Sequence, residues 1–301
     1  MSVNEKIRRR MAPFVLTLGS GILRRRILGE SGALLLWQML DRYFSYFEFR
    51  AKAITRFGLE MDVSPSGRVE KEIFFFGEWE PLFSRYLLDK PPSNGSFVDL
   101  GANIGYFTLL ASKRFAYVHA IEASPKIAGR LQENVSRNML DNVRVHNTAI
   151  GGEAGYIDFY FDTNQSGGSS VFPGEGRVLE AKVPIATFLD ILADVPLDGI
   201  EFIKVDIEGM EHQVLQMLLE IQERLAPNVE IMVEYHPGAE QALELQRLVA
   251  QFRLRGFVPF VLQGSYDPHE YLDQSKRTRL AMMDIFPSES CDIILKRAGT
   301  A

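Results

Sequence analysis

The feature that most restricts the fold begins at residue 96. From there, short runs of β-branched and aromatic residues alternate with helical patterns. Such alternation builds a parallel sheet with crossover helices, a doubly wound α/β architecture. The strands are expected at Ser96–Leu100, Tyr117–Glu122, Val143–His146, Phe202–Asp206 and Glu230–Glu234. Two further runs, Ile157–Phe161 and Ala181–Pro184, read as accessory strands. Pro125 suits the first position of a helix reaching about Leu140. A second helix is expected from Glu211 to about Leu225, and a third up to Arg255 with Gly256 closing it. The pattern then changes. Phe257–Leu262 and Asp292–Leu295 are strands with no helical crossover between them, so they pair antiparallel. The polar segment 263–290 between them, like the Gly/Ser-rich stretch Asn164–Ser170, is long enough to form part of a substrate cover.

The turn after the first strand, Val98-Asp-Leu-Gly-Ala-Asn-Ile-Gly-Tyr-Phe107, is the most informative decapeptide. Gly101 and Gly105 leave the backbone open to a ligand between strand end and helix start. A dinucleotide site would want Gly-x-Gly-x-x-Gly, with a helix N-terminus facing a pyrophosphate. Here Asn103 stands where the second glycine belongs, and Asp99 precedes the turn. That acid would repel a pyrophosphate but suits an ammonium. S-adenosylmethionine carries an ammonium and a sulfonium and has no phosphate. Glu122 ends the next strand about 20 residues on, where a carboxylate can accept both ribose hydroxyls. Facing a ribose, it is expected to have little packing role.

These segments are similar to the FkbM-family methyltransferases. The similarity runs from about residue 70 to the C-terminus. It is carried by Gly77–Pro81, Val98–Phe107, Ile121–Pro125, Ala149–Gly151, Ile203–Gly209 with Glu211, and Val233–Pro237. It implies a class I methyltransferase (Rossmann-like) sheet, S-adenosylmethionine as donor, and a hydroxyl acceptor on a sugar, glycan or specialised metabolite. The mostly parallel sheet with an antiparallel C-terminal strand pair fits that fold rather than a dehydrogenase. Donor contacts are expected from Glu80, Asp99, Gly101, Asn103, Gly105, Tyr106, Phe107, Glu122, Ala149 and Asp206. The domain boundaries follow: a helical extension over 1–68 and an FkbM-like methyltransferase domain over 69–301.

In an open α/β sheet the ligand lies beyond the carboxyl ends of the strands. Asp206 ends the fourth strand, and Glu234 and His236 end the fifth. Methyl transfer needs alignment of nucleophile and methyl group, plus a proton acceptor when the nucleophile is an alcohol. Histidine titrates near neutrality, so His236 suits that task, with Asp206 and Glu208 as further catalytic candidates. Glu211, in the first turn of a helix, has a structural explanation in the helix dipole. Lys204 sits in an apolar strand, where lysine needs an acid; Asp99 and Glu208 are the candidates. Asp206, Glu208, Glu234 and His236 are residue types that Mg²⁺ accepts, but their spacing does not demand it, and no metal is assigned. Two other functions fit less of the pattern: a module that holds S-adenosylmethionine without turnover, and a nicotinamide oxidoreductase.

Charge separates head from body. Residues 1–60 hold 11 Lys/Arg against 5 Asp/Glu, a net +6; the whole chain is −6, so the rest carries −12. A body that acidic argues against a nucleic-acid substrate. The head, with Arg8–Arg10 and Arg24–Arg26 around apolar residues and a second apolar-aromatic segment at 34–49, reads as amphipathic helix. It is expected to cap the catalytic domain, pair two copies, or lie on an anionic membrane surface. No apolar run is long enough to span a bilayer, and arginines stand where a signal peptide would be cleaved. The lone Cys291 reads as a buried strand thiol, consistent with a reducing, cytoplasmic setting.

Overall fold

The structure is a computed structural model that describes residues 18–24, 27–44, 50–65, 67–162, 176–207, 209–238, 241–262, 271 and 280–298. The chain divides into two compact units. One comprises residues 1–84 and 265–277; the other comprises 85–264 and 278–301.

In the first unit, residues 18–24 are helical, and helix α1 spans Glu30–Phe44. A hairpin of β1 (Ala51–Ile54) and β2 (Glu60–Val63) follows, then α2 (Arg68–Phe76). Arg24 ties these elements together. Its guanidinium donates to the carbonyls of Ile54, Ile73 and Phe74, the first at a strand end and the others in the last turn of α2. Phe74 O lies in the turn where intrahelical donors run out, so the arginine supplies there what the helix end leaves open. Gly77 ends α2 at φ 72°, its N–H bonded to Ile73 O at 2.8 Å.

Helix α3 (Pro81–Leu88) leads into the second unit, which holds the expected doubly wound sheet. Its strands are β3 (Ser93–Leu100), β4 (Phe115–Glu122), β5 (Val143–Asn147), β9 (Ile200–Val205), β10 (Glu230–Tyr235), β11 (Phe257–Leu262), β12 (Ala281–Met282) and β13 (Cys291–Arg297). The order across the sheet is β12-β11-β13-β10-β9-β3-β4-β5. Five adjacent strands, β10 to β5 in that order, run parallel, and β13 enters antiparallel between β10 and β11. The chain direction therefore reverses from β10 to β13 at the sheet's carboxyl rim. A smaller sheet of order β6-β8-β7 is built from β6 (Ala149–Ile150), β7 (Gly155–Asp162) and β8 (Arg177–Ala186).

The parallel strands are apolar on both faces because helices cover both. Val98, Leu100, Ile203, Val205, Ile231 and Val233 are buried with Val214, Leu215 and Leu218 of α7 (Glu211–Ile221) and Leu248 and Phe252 of α8 (Ala242–Leu254). Two short helices, α4 (Tyr106–Ala111) and α6 (Phe188–Ile191), and the longer α5 (Pro125–Arg137) complete the layers. Ser124 caps α5 through Ile127 N, with Pro125 next in line. Gly256 (φ 84°) follows α8 as expected.

Two differences from the sequence reading stand out. The α7 helix stops at Ile221 and tightens into a 3₁₀ turn at Gln222–Arg224. The segment between β11 and β13 is not all loop, since Ala281–Met282 adds an edge strand to β11. The rest of that segment, apart from Tyr271 and residues 280–290, lies outside the described residues, as does 164–170. Cys291 is buried, and burial beside Asp292 and Glu234 pushes its thiol up to about 12, so it is an inert strand thiol.

Candidate active site

The carboxyl ends of β3, β4, β9 and β10 carry the predicted residues. Asp99 is wholly buried near the end of β3. Its Oδ2 accepts the Thr108 hydroxyl at 2.6 Å; its Oδ1 has no hydrogen-bond partner and lies 3.8 Å from Lys204 Nζ. Burial raises the Asp99 carboxyl, opposed by Lys204 and Thr108. The turn that follows is pinned to β4, where Gly101 N and Ala102 N both donate to Ile121 O at 3.0 Å.

Both glycines of the turn are required, though by the protein itself. A Cβ on Gly101 (φ 79°) would stand 1.7 Å from Asp206 O, and one on Gly105 (φ 94°) 2.3 Å from Leu131 Cδ1 of α5. The first lets β3 and β9 converge at their ends, and the second seats α5. The freedom expected for a ligand is thus used first for internal packing. Asn103 holds φ 50°, a conformation asparagine tolerates, with Oδ1 accepting from Ile104 N. Asn134 Nδ2 of α5 fixes the turn further through Ile104 O at 2.9 Å.

Glu122 is 9% exposed at the end of β4. Its Oε2 accepts Asn103 N and its Oε1 accepts Ser124 N, both at 2.9 Å. This corrects the expectation of a small structural role: Glu122 ties the donor turn to the α5 N-terminus. Each oxygen keeps a second lone pair for a hydroxyl. Burial pushes this carboxyl up to about 7, against the two backbone N–H groups. Tyr106 and Phe107 are buried in the first turn of α4, and Ala149 is buried in β6.

At the rim, Lys204 of β9 is 2% exposed, with Nζ 2.7 Å from Asp206 Oδ2. The sequence reading anticipated an acid for this lysine; the structure supplies Asp206 and Asp99. Asp206 keeps a side chain 30% exposed, and its carboxyl is raised by burial and by Glu234, against the pull of Lys204. His236 Nε2 meets Glu234 Oε2 at 3.1 Å, and its Nδ1 meets Ser290 Oγ at 2.9 Å. With Nε2–H directed at Glu234, Nδ1 accepts the Ser290 hydroxyl. Glu211 caps its own turn, accepting from Gly209 N at 3.1 Å and Ile207 N at 3.3 Å. Glu208 lies outside the described residues. Glu80 belongs to the first unit, at φ 42°, with its carbonyl accepting from Ser84 N at 2.9 Å.

Sequence reasoning missed Asp292. The antiparallel register sets it opposite Glu234. Burial, Glu234 and Asp206 together push its carboxyl well above the usual range. Reading 291–295 as a buried strand was correct, but which residue faced which acid is a property of the register. Glu180 was missed too. It reaches from β8 to accept Ser124 Oγ at 2.8 Å and Lys126 N at 3.1 Å. Among the described residues, no group of three or more His, Cys, Asp or Glu is arranged to hold a metal ion.

The family model described as the methyltransferase FkbM domain matches residues 99–259, more than half of the chain. The chain belongs to the FkbM methyltransferase family. The match opens at Asp99 and ends within β11, leaving Glu80 and Asp292 outside it. "Methyltransferase 1" of Beauveria bassiana is 26% identical over 148 residues, covering 42% of this chain and 59% of that protein. "Methyltransferase sdnD" of Sordaria araneosa is 27% identical over 185 residues, covering 51% of this chain and 71% of that protein. This FkbM-family chain thus spans about three-fifths of the first relative's length and about seven-tenths of the second's. A crystal structure of the methyltransferase FkbM from Methylobacillus flagellatus KT is 15% identical, covers 92% of this chain and 58% of that one, and has a TM-score of 0.43.

The cofactor of an FkbM-family methyltransferase is S-adenosylmethionine, and the residues present fit it. Asp99 and Asp206 flank one ammonium, an excess of negative charge that suits a ligand with ammonium and sulfonium groups. One buried oxygen of Asp99 lacks a hydrogen-bond partner, and Glu122 retains lone pairs for hydroxyls.

Proposed function

We propose that this protein transfers a methyl group from S-adenosylmethionine to a hydroxyl of a sugar, glycan or specialised metabolite. The observation that carries the reading is the acid-rich rim, Asp206, Glu234 and His236, at the carboxyl ends of β9 and β10, beside the strand whose turn bears Asp99. When bound, the donor supplies an activated methyl group. This chain has to hold the acceptor in line and take its proton.

His236 is suited to the proton. Glu234 on Nε2 orients the ring and holds the Nε2–H tautomer, leaving Nδ1 as the proton acceptor. An acceptor hydroxyl has to replace Ser290 at Nδ1. Asp206, held by Lys204, is suited to orient the acceptor. Tyr106, Phe107 and Ala149 are proposed as donor contacts, and Glu208 as an acceptor contact. The experiment is transfer of labelled methyl to a panel of free sugars and glycosides, beside calorimetric titration with S-adenosylhomocysteine. Binding with labelled glycoside supports the reading. Binding with no labelled product from any hydroxyl compound would leave a module that holds the donor without turnover.

A further inference from the structure

A lysine is costly inside a parallel sheet, and Lys204 is one of the most deeply buried large side chains of the chain. In register it stands between Asp99 of β3 and Met232 of β10. Its Nζ is 2.7 Å from Asp206 Oδ2, 3.8 Å from Asp99 Oδ1 and 5.3 Å from the centre of the Phe107 ring. One ammonium therefore lies between the acid before the glycine turn and the acid at the rim. Other charges crowd the same place. Glu234 of β10 and His236 just beyond it act on Asp206, and Asp206 acts in turn on Asp292 of β13 and on Asp99. Without the lysine, the wholly buried Asp99 and the part-buried Asp206 would have no cation between them, and the carboxylate form of each would be disfavoured further. Stability alone does not call for such an arrangement, because an apolar side chain of similar volume commonly serves a core as well as a buried ion pair.

We propose that Lys204 is a positioning residue of the methyl-transfer site, holding the charges of Asp99 and Asp206 in place together. The donor turn and the acceptor rim are then set by one buried cation. This rests on the methyltransferase reading above.

The test is calorimetric titration of S-adenosylhomocysteine into the wild type, Lys204→Met and Lys204→Arg. Each is measured from about pH 6 to about pH 9 in two buffers of different ionisation heat, which reports protons exchanged on binding. Glu122 and the other acids named above titrate in all three proteins, so the comparison is between profiles. Lys204→Met is expected to bind about ten-fold more weakly near pH 6, to release a proton on binding, and to recover as pH rises. Lys204→Arg is expected to follow the wild type. A lysine that only supports the fold would lower the melting temperature of Lys204→Met and leave the binding profile of the folded protein on that of the wild type, which overturns the proposal. Should Lys204→Met not fold, the double variant Lys204→Met/Asp206→Asn removes both charges at once. Proton release and weakened binding are expected to persist there through Asp99, and wild-type affinity without proton release overturns the proposal. A wild type that does not bind S-adenosylhomocysteine at any pH sinks the methyltransferase reading itself; a wild type that binds while the variants match it sinks only the role of Lys204.

Discussion

Asp99 shows how a charged side chain can serve a site without lying on its surface. It is wholly buried, bonded to Thr108 and close to Lys204, so its charge acts from beneath the turn. Asp99→Asn should lower the melting temperature and weaken S-adenosylhomocysteine by about 1.5–3 kcal/mol, the scale of a lost charged hydrogen bond. Calorimetry showing full affinity would remove Asp99 from the donor site. Glu122 adds a pH dependence. Its carboxyl is held at about 7 in the folded chain against an ordinary 4.5. Between those values the folded state keeps a proton that the unfolded state has lost. Stability from this group is therefore full below about pH 4.5 and falls, by up to about 3 kcal/mol, as pH rises to about 7. Glu122→Gln replaces one acceptor by an amide donor facing a backbone N–H, so it starts less stable than the wild type. Its deficit should narrow as pH rises from about 5 to about 8. Melting curves whose separation stays constant over that range would contradict the assignment.

At the scale of elements, the glycines separate backbone necessity from convenience. Gly101→Ala would drive a Cβ into the Asp206 carbonyl and part β3 from β9. It should cost about 2–4 kcal/mol from overpacking and left-handed strain, and take donor binding with it. Gly129, exposed within α5 with nothing within 4 Å of an added Cβ, is the control. Gly129→Ala should raise stability by about 0.5–1 kcal/mol through helix propensity. Denaturant titration of both variants checks the pair, and equal effects would mean that the turn tolerates more than its geometry allows.

For the whole molecule, charge and apolar exposure point to the same end. The +6 head contains α1, whose inner face buries Ala33 and Leu40 while Leu35 and Met39 remain 62% and 70% exposed. Among the described residues, no helix is long and apolar enough to cross a membrane. The full chain is expected to float with anionic phospholipid vesicles at low salt, to lose them at high salt, and to stay behind as Leu35→Glu/Met39→Glu. Protein that remains at the bottom at low salt leaves these side chains to a second copy, which light scattering would register as a dimer.

Local signals determined much of this protein. Strand and helix alternation, the Pro125 and Gly256 boundaries, and the change of pattern after Gly256 are written in short stretches of chain, so the parallel sheet and its reversed β13 were legible. The acids at strand ends were legible too, because a parallel sheet collects its strand ends on one rim. Pairings between distant strands were legible only in part: Asp99 was named as an acid for Lys204, and the structure places it there. That Asp292 faces Glu234 and that Gly101 makes room for the Asp206 carbonyl depend on register. A one-residue slip would send each of those side chains to the opposite face, and no local pattern records which register the core selects.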